Sequence, residues 1–377
     1  MPWRECTYMS EREELVALAL KPGANLSQLC RSYGVSRKTA YKWLSRQAEQ
    51  GRPGLADKSR RPLSSPRQTP EAMEKQVCEL RQETGWGGRK LHHTLRNEGA
   101  PEVPASSTIT GILRRNQLLQ PERRLERDWQ RFEAEAPNDL WQMDFKGHFA
   151  TGKGRCHPLT ILDDHSRFNL CLAACTNERT DTVRSQLSRV FDLYGLPQRM
   201  LMDNGAPWGS GYSWQPFTHL GVWLIRLGIS VSHGRPYYPQ TQGKEERFHR
   251  TLLAEVVRRR PRWDDFDQVQ AAFDAWRPVY NLRRPHQALD YKTPVTRYNP
   301  SPLRLPSRLP EIDYGPEDLV RKVQGQGELS FRGREHHVGR AFAGEPVALR
   351  AVADGVWQVY YCHQRIAVID LTPPTQV

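Results

Sequence analysis

Apolar residues Leu26, Leu29, Cys30 and Tyr33 recur at i, i+3, i+4 and i+7, the spacing of one apolar stripe along a short helix. Asn25 and Gln28 stand as a capping pair at its start. Gly34-Val35 then reads as a turn, Ser36 as the cap of a second helix, and Ala40, Trp43 and Leu44 as its buried side. The pattern predicts a helix-turn-helix within residues 1–50. Its outward face carries Arg37, Lys38, Thr39, Lys42 and Arg46, residue types suited to phosphates and base edges in a major groove. After a linker at 51–69 with three prolines and five basic residues, helical spacing returns at Met73, Val77 and Leu80, then at Leu91 and Leu95. Ser107 precedes a third stripe, Ile109, Ile112 and Leu113, whose exposed side ends in Arg114-Arg115. Residues 70–120 are therefore expected to form a second helical DNA-binding unit. The Arg- and Glu-rich stretch that follows is expected to be a helical connector over 121–137.

Near Leu140 the period changes to short apolar strands alternating with turns and helices, which predicts an α/β core over 138–300. Trp141, Met143 and Phe145 share one face of the first strand, so alternation turns Asp144 to the other. Pro158–Leu162 and Phe168–Ala173 make two further strands around the hairpin Asp163-Asp164-His165-Ser166-Arg167. A helix is expected over Thr180–Tyr194. Met200-Leu201-Met202 reads as a buried strand ending at Asp203-Asn204-Gly205, so a second carboxylate stands at a strand's carboxyl end, where α/β sheets place ligands. Ile229–His233 is one more strand. The loop Pro239–Gly243 opens a long helix buried along Phe248, Leu252, Leu253 and Val256, with Glu246 in its first turn at the edge of that stripe.

A proline-rich linker at 301–316 leads to short strands at 319–323, 329–331, 347–352, 356–361 and 366–371, with Asp354-Gly355 as a hairpin turn. These predict a small β-barrel over 317–377. Arg332, Arg334, His336 and His337 read equally as DNA contacts or as a solvated turn, and His336-His337 without nearby cysteine is poor evidence for a metal.

The formal charge of +13 favours a polyanionic partner, nucleic acid foremost. No run reaches the ~20 apolar residues a membrane span needs, and Met1-Pro2-Trp3-Arg4-Glu5 lacks a secretory stretch, so a cytoplasmic, nucleoid-associated protein without membrane contact is expected. The seven cysteines, odd in number and never spaced C-x-x-C, read as reduced, packed thiols.

Taken singly, Asp-Asn-Gly is an ordinary turn, and Glu245-Glu246 an ordinary acidic helix start favoured by the helix dipole. Their order and flanks carry more. Trp141-Gln142-Met143-Asp144, Asp163-Asp164-His165-Ser166-Arg167, Asp203-Asn204-Gly205, Tyr238-Pro239-Gln240-Thr241-Gln242-Gly243-Lys244-Glu245-Glu246-Arg247-Phe248-His249 and Arg284-Pro285-His286-Gln287-Ala288-Leu289 together resemble bacterial insertion-sequence transposases, whose core is similar to that of retroviral integrases. The helix Ser36–Trp43 likewise resembles the recognition helices of transposases and repressors.

The resemblance implies a multidomain chain: all-α helix-turn-helix units, a central RNase H-like α/β core with a mixed sheet, and the small β-barrel. It implies catalytic acids at Asp144, Asp203 and Glu246, holding two magnesium or manganese ions, since these ions prefer oxygen ligands and can flank a phosphate about 3.5–4 Å apart. Glu245 is the rival third acid, but Glu246 has the spacing from Gly243 that the resemblance requires. Asp163 and Asp164 are assigned a structural role, as a hairpin pair that normally faces water. The implied reaction is 3′-end cleavage at mobile-element ends followed by strand transfer into target DNA, by a homo-oligomer assembled on two ends.

Two departures stand out. The interval between Asp203 and Glu246 is longer than in similar cores, with the surplus assigned to the Trp208–Trp214 loop. Relatives often carry Lys or Arg seven residues after the glutamate, where this chain has Leu253; Arg250, one turn after Glu246, is the replacement expected to meet DNA. A DNA-binding regulator on a retained or decayed core, and a hydrolytic nuclease with the same sheet, remain the alternative functions.

Overall fold

The computed structural model describes residues 8–59, 68–119, 133–209, 217–234 and 243–372. They fall into two compact units, 1–68 and 69–377.

The first unit has three helices, α1 (Tyr8–Ala19), α2 (Leu26–Ser32) and α3 (Arg37–Gln50). Asn25 and Ser36 cap α2 and α3 as expected, their side chains accepting from the Gln28 and Thr39 N–H groups. Gly34 turns the chain between them at φ +63°, a left-handed conformation that glycine adopts without strain. Helix α1 was not expected. Its neighbours Leu15 and Val16 face different partners, Leu15 packing on Cys30 and Ala40 and Val16 on Trp43 and Leu55, so no single stripe marks it in the sequence.

The second unit opens with α4 (Glu71–Thr84), α5 (Gly88–Asn97) and α6 (Ser106–Arg115) around Val77, Leu91, Leu95, Ile109, Ile112 and Leu113. Each of these side chains, fully buried, contributes about 1.5–3 kcal/mol. At Gly88 a Cβ would come within 2.3 Å of Thr110 Oγ1, so this position lets α5 and α6 approach closely. These helices do not hang on a tether. Trp86 Nε1 donates to Glu255, Arg283 pairs with Glu83 and Glu98, and His93 stacks on Tyr291, all of which fix them to the core. Of the connector expected over 121–137, residues 121–132 lie outside the described residues, while 133–137 run as turns and irregular backbone rather than helix.

The core sheet is mixed, as expected. Strand β1 (Trp141–Phe145) lies antiparallel to β3 (Gly154–Asp163) and parallel to β5 (Arg199–Met202), which pairs in parallel with β6 (Ser230–His233). Strand β3 also pairs antiparallel with β2 (Phe149–Thr151) at its start and with β4 (Asn169–Cys175) on the side away from β1. Trp141, Met143, Leu159 and Ile161 join the core formed with α7 (Thr180–Tyr194) and α8 (His219–Arg226). Leu162 and Leu172 instead meet Phe248 and Leu252 of α9 (Gly243–Glu255), and Val269 and Phe273 of α10 (Phe266–Pro278).

The hairpin acids correct one expectation. Asp163 and Asp164 are buried, at 0% and 1% exposure, rather than facing water. Asp163 accepts from the backbone N–H of Asn138 and Ser166, and Asp164 from that of Ala134 and from Gln142 Nε2, so neither carboxylate lacks donors. The structural role holds.

The carboxy-terminal strands β7 (Leu319–Lys322), β10 (Pro346–Ala353), β11 (Val356–Tyr361) and β12 (Gln364–Asp370) form an antiparallel sheet in the order β12-β11-β10-β7. A separate hairpin joins β8 (Glu328–Phe331) and β9 (Arg334–His337). Gly355, at φ +74°, makes the expected turn between β10 and β11. Where a barrel was expected the sheet is open, because among the described residues no strand pairing links β7 to β12. Residues 301–316 are strapped to the core rather than loose: Ser301 N donates to Tyr194 O, and Leu196 N to Leu303 O.

Candidate active site

Strand β1 sets Asp144 opposite Thr160 of β3, on the sheet face covered by α9. Thr160 Oγ1 lies 3.0 Å from the Asp144 carbonyl oxygen, 2.9 Å from Glu245 Oε2 and 2.8 Å from His249 Nε2. One hydroxyl thus joins the first strand, the third strand and the first turn of α9. Lys244, in that same turn, is held by buried Asp164. Together these contacts fix which way successive residues of α9 face.

The two adjacent glutamates diverge accordingly. Glu245 is fully buried, while Glu246 is exposed. Burial, and then the charge of Asp144, raise Glu245 well above the ordinary carboxylate range. His249 is pushed down to about 3 by burial and by Lys146, so it is neutral. Of the pair, Glu246 is the carboxylate accessible to an ion.

Asp203 stands exposed at the end of β5. Its carbonyl oxygen lies 3.0 Å from His233 Nδ1 on β6, and Asn204 Nδ2 donates to Gly234 O, so the strand end is tied to its neighbour. The chain then folds back so tightly that a Cβ at Gly209 would lie 2.3 Å from Asn204 O. Residues 210–216, which hold most of the surplus loop, lie outside the described residues.

Asp144 feels both partners. Burial first, and then the charges of Asp203, Glu178 and Glu246, raise it to about 7 against the Phe145 N–H, which lowers it. The three expected acids therefore share one electrostatic neighbourhood, although among the described residues no three His, Cys, Asp or Glu side chains are gathered to hold a metal. An all-oxygen set with unbalanced negative charge fits hard divalent cations such as magnesium or manganese. Glu178 was missed by the sequence reading, as were Thr160 and His249. Glu178 precedes α7, with His157 Nδ1 2.7 Å from its carboxylate, and nothing in its local sequence marks it.

The residues expected to contact DNA are differently disposed. Arg37 and Lys38 are exposed in the first turn of α3, whereas Thr39 is engaged with Ser36 at the helix cap. Lys42 and Arg46 lie over the Trp43 ring at 4.3 and 5.1 Å, which holds them on one face. Arg114 is exposed, and Arg115 is paired with Glu74 at 2.6 Å. Arg250 is exposed on α9, and Leu253 packs partly buried against the core, as expected.

Comparisons with known proteins agree along the chain. Residues 11–62 match a helix-turn-helix domain, 39–113 a homeodomain-like domain, 134–239 and 227–294 integrase core domains, and 318–376 the C-terminal domain of IS481 family transposases. The uncharacterized 31.7 kDa protein of insertion element IS407 from Burkholderia multivorans is 26% identical over 55% of this chain and 74% of its own length. The Gag-Pro-Pol polyprotein of mouse mammary tumor virus is 36% identical over 32% of this chain, which spans only 6% of that polyprotein. A chain of a simian T-cell lymphotropic virus intasome, 16% identical, covers 78% of this chain and 95% of its own at a TM-score of 0.40.

Helix-turn-helix domains ahead of an integrase core define a DNA-binding protein of the transposase and integrase class. Within it, the chain resembles insertion-sequence transposases, the integrase core being followed by a match to the C-terminal domain of IS481 family transposases.

Proposed function

We propose that the chain cleaves the 3′ ends of a mobile DNA element and joins them to target DNA, with Asp144, Asp203 and Glu246 as the acids that hold two magnesium or manganese ions. The observation that carries this reading is the electrostatic convergence of Asp203 and Glu246 on Asp144 from three separate elements. When bound, such ions activate water or a DNA 3′-hydroxyl and stabilise the leaving oxygen of an in-line displacement. The chain's own part is to orient and to exclude. Thr160 fixes the backbone at Asp144, the Asp164–Lys244 pair fixes the first turn of α9, and buried Glu245 and neutral His249 lie beneath it. No covalent protein intermediate is needed, so no nucleophilic side chain is assigned.

In this reading Arg37, Lys38, Lys42 and Arg46 contact element-end DNA from α3, Arg114 and Arg115 from α6, and Arg250 beside the catalytic acids, in a homo-oligomer assembled on two ends. Thr39 acts at the helix cap and touches the DNA backbone only in that setting. The domain limits 1–50, 70–120, 138–300 and 317–377 serve as working boundaries, and a cytoplasmic location and nucleoid association belong to the same reading. The test is a joining assay with the DNA that flanks the gene. Asp144→Asn, Asp203→Asn and Glu246→Gln should each abolish joining and leave end binding nearly intact; robust joining by any of them refutes the assignment.

A further inference from the structure

A hollow of about 580 Å³ opens on the flank of α9, bounded by Arg247, Arg250 and Glu255 of that helix, Lys90 of α5 and Arg284 of the turn after α10. Four cations and one carboxylate line it, and the carboxylate is held in place by its neighbours. Glu255 accepts from Trp86 Nε1 at 3.2 Å, Trp276 Nε1 at 3.0 Å and Arg284 Nε at 3.1 Å. Arg284 is thereby oriented, its guanidinium also lying 5.7 Å from the Tyr280 ring centroid. The positive field extends beyond Glu255, because His286 is driven well below the ordinary histidine range, first by burial and then by the charges of Arg284 and Lys90. Thr251 and Gln287 add neutral hydrogen-bonding groups to the same wall. Cations mixed with neutral hydrogen-bonding groups are what phosphodiester oxygens bind.

Position adds a second argument. Glu246, Arg250 and Ala254 stand at i, i+4 and i+8, on one face of α9, rising about 6 and 12 Å along its axis. That distance corresponds to about two to four base-pair rises of duplex DNA. We propose that this hollow is a second DNA-backbone site, which takes phosphates of the element-end duplex a few base pairs inside the reacting end. The site is composite: Lys90 comes from the helical unit and the other cations from the core, so it exists because Trp86 and Glu255 dock the two together. Its placement beside the reacting end rests on the function proposed above; its binding of duplex DNA does not.

The test uses the full chain carrying Asp144→Asn, so that binding is read without chemistry, and a linear fluorescent duplex as probe. Lys90→Gln removes a cation from the hollow, and Ala254→Glu adds a carboxylate to it without touching a cation. Lys75→Gln makes the same charge change as the first on the exposed face of α4, away from the hollow. With melting temperatures unchanged, Lys90→Gln and Ala254→Glu should each weaken binding about fivefold or more, and Lys90→Gln should lower the salt slope by about 0.9. Lys75→Gln should do neither. Binding by both variants that equals that of Lys75→Gln overturns the proposal. So does a loss seen with covalently closed plasmid but not with the linear duplex, which assigns the hollow to target DNA. Joining by the Asp144→Asn chain would instead sink the catalytic reading and leave this binding result standing.

Discussion

Asp164, buried in the turn after β3, forms an ion pair with Lys244 in the first turn of α9. The pair fastens the helix that carries Glu246 to the hairpin beside β1, and Gln142 of β1 donates to the same carboxylate. Breaking a buried pair from one side leaves an uncompensated charge and costs about 3–5 kcal/mol. Asp164→Ala should therefore lower unfolding stability by that amount in urea titrations. Lys244→Met should cost less, since Asp164 keeps two other donors. Stability within about 1 kcal/mol of the parent for Asp164→Ala would remove the pair from this role.

The neighbouring glutamates give a sharper contrast. Glu245 is buried and raised above the ordinary carboxylate range, so Glu245→Gln preserves its shape and mimics its protonated form; fold and joining should both survive. Glu246→Gln should leave the fold unchanged while joining falls below about 1% of the parent, the scale of loss when a charge-stabilising group is removed. The reverse result, activity with Glu246→Gln and none with Glu245→Gln, would transfer the catalytic role to Glu245.

Arg250 and Leu253 separate charge from packing on one helix. Arg250→Ala should lower joining about tenfold, equivalent to about 1.4 kcal/mol of a charge-assisted contact, with melting unchanged. Leu253 is partly buried, so Leu253→Ala should act on melting instead. Unchanged joining with Arg250→Ala ends its assignment to DNA.

His286 carries a pH prediction. Its folded pKa lies well below the unfolded value of about 6.5, so the unfolded chain binds the extra proton first as pH falls. Stability is thus fully present above about pH 6.5 and is lost below it, at up to about 1.4 kcal/mol per pH unit. His286→Gln removes that proton from the balance. Urea midpoints between pH 7 and 5 should fall less steeply for His286→Gln than for the parent; parallel slopes would show that His286 does not drive the loss.

The exposed cations of α3 should govern salt dependence. Replacing Arg37 and Lys38 by Gln in the full chain should reduce the slope of log affinity against log salt by about 0.9 for each phosphate no longer neutralised. Thr39→Val should remove only the side-chain contact to Ser36 Oγ, costing about 1 kcal/mol of stability without changing the slope. An unaltered slope in the double variant would place the DNA contacts elsewhere.

Much of this architecture is written in local pattern. Asn25 and Ser36 announce their helices through capping chemistry, Val77, Leu91 and Ile109 through 3.6-residue spacing, and Asp144 and Asp203 through strand alternation and a turn at a strand's end. The family resemblance rested on contiguous motifs, and these also survive in one dimension. What the sequence could not show depends on contacts between distant positions. Helix α1 is stabilised by two separate clusters, so it leaves no single stripe. Glu245 and Glu246 are adjacent and identical, and only the meeting of β3 with α9 at Thr160 decides that one is buried while the other faces solvent. Asp164 is a surface turn residue by pattern and a buried anchor by tertiary packing, because Lys244 and Gln142 reach it from elements far along the chain. The open carboxy-terminal sheet follows the same rule: strand alternation fixes which residues pair and face inward, whereas closure depends on long-range edge pairing that no local pattern encodes.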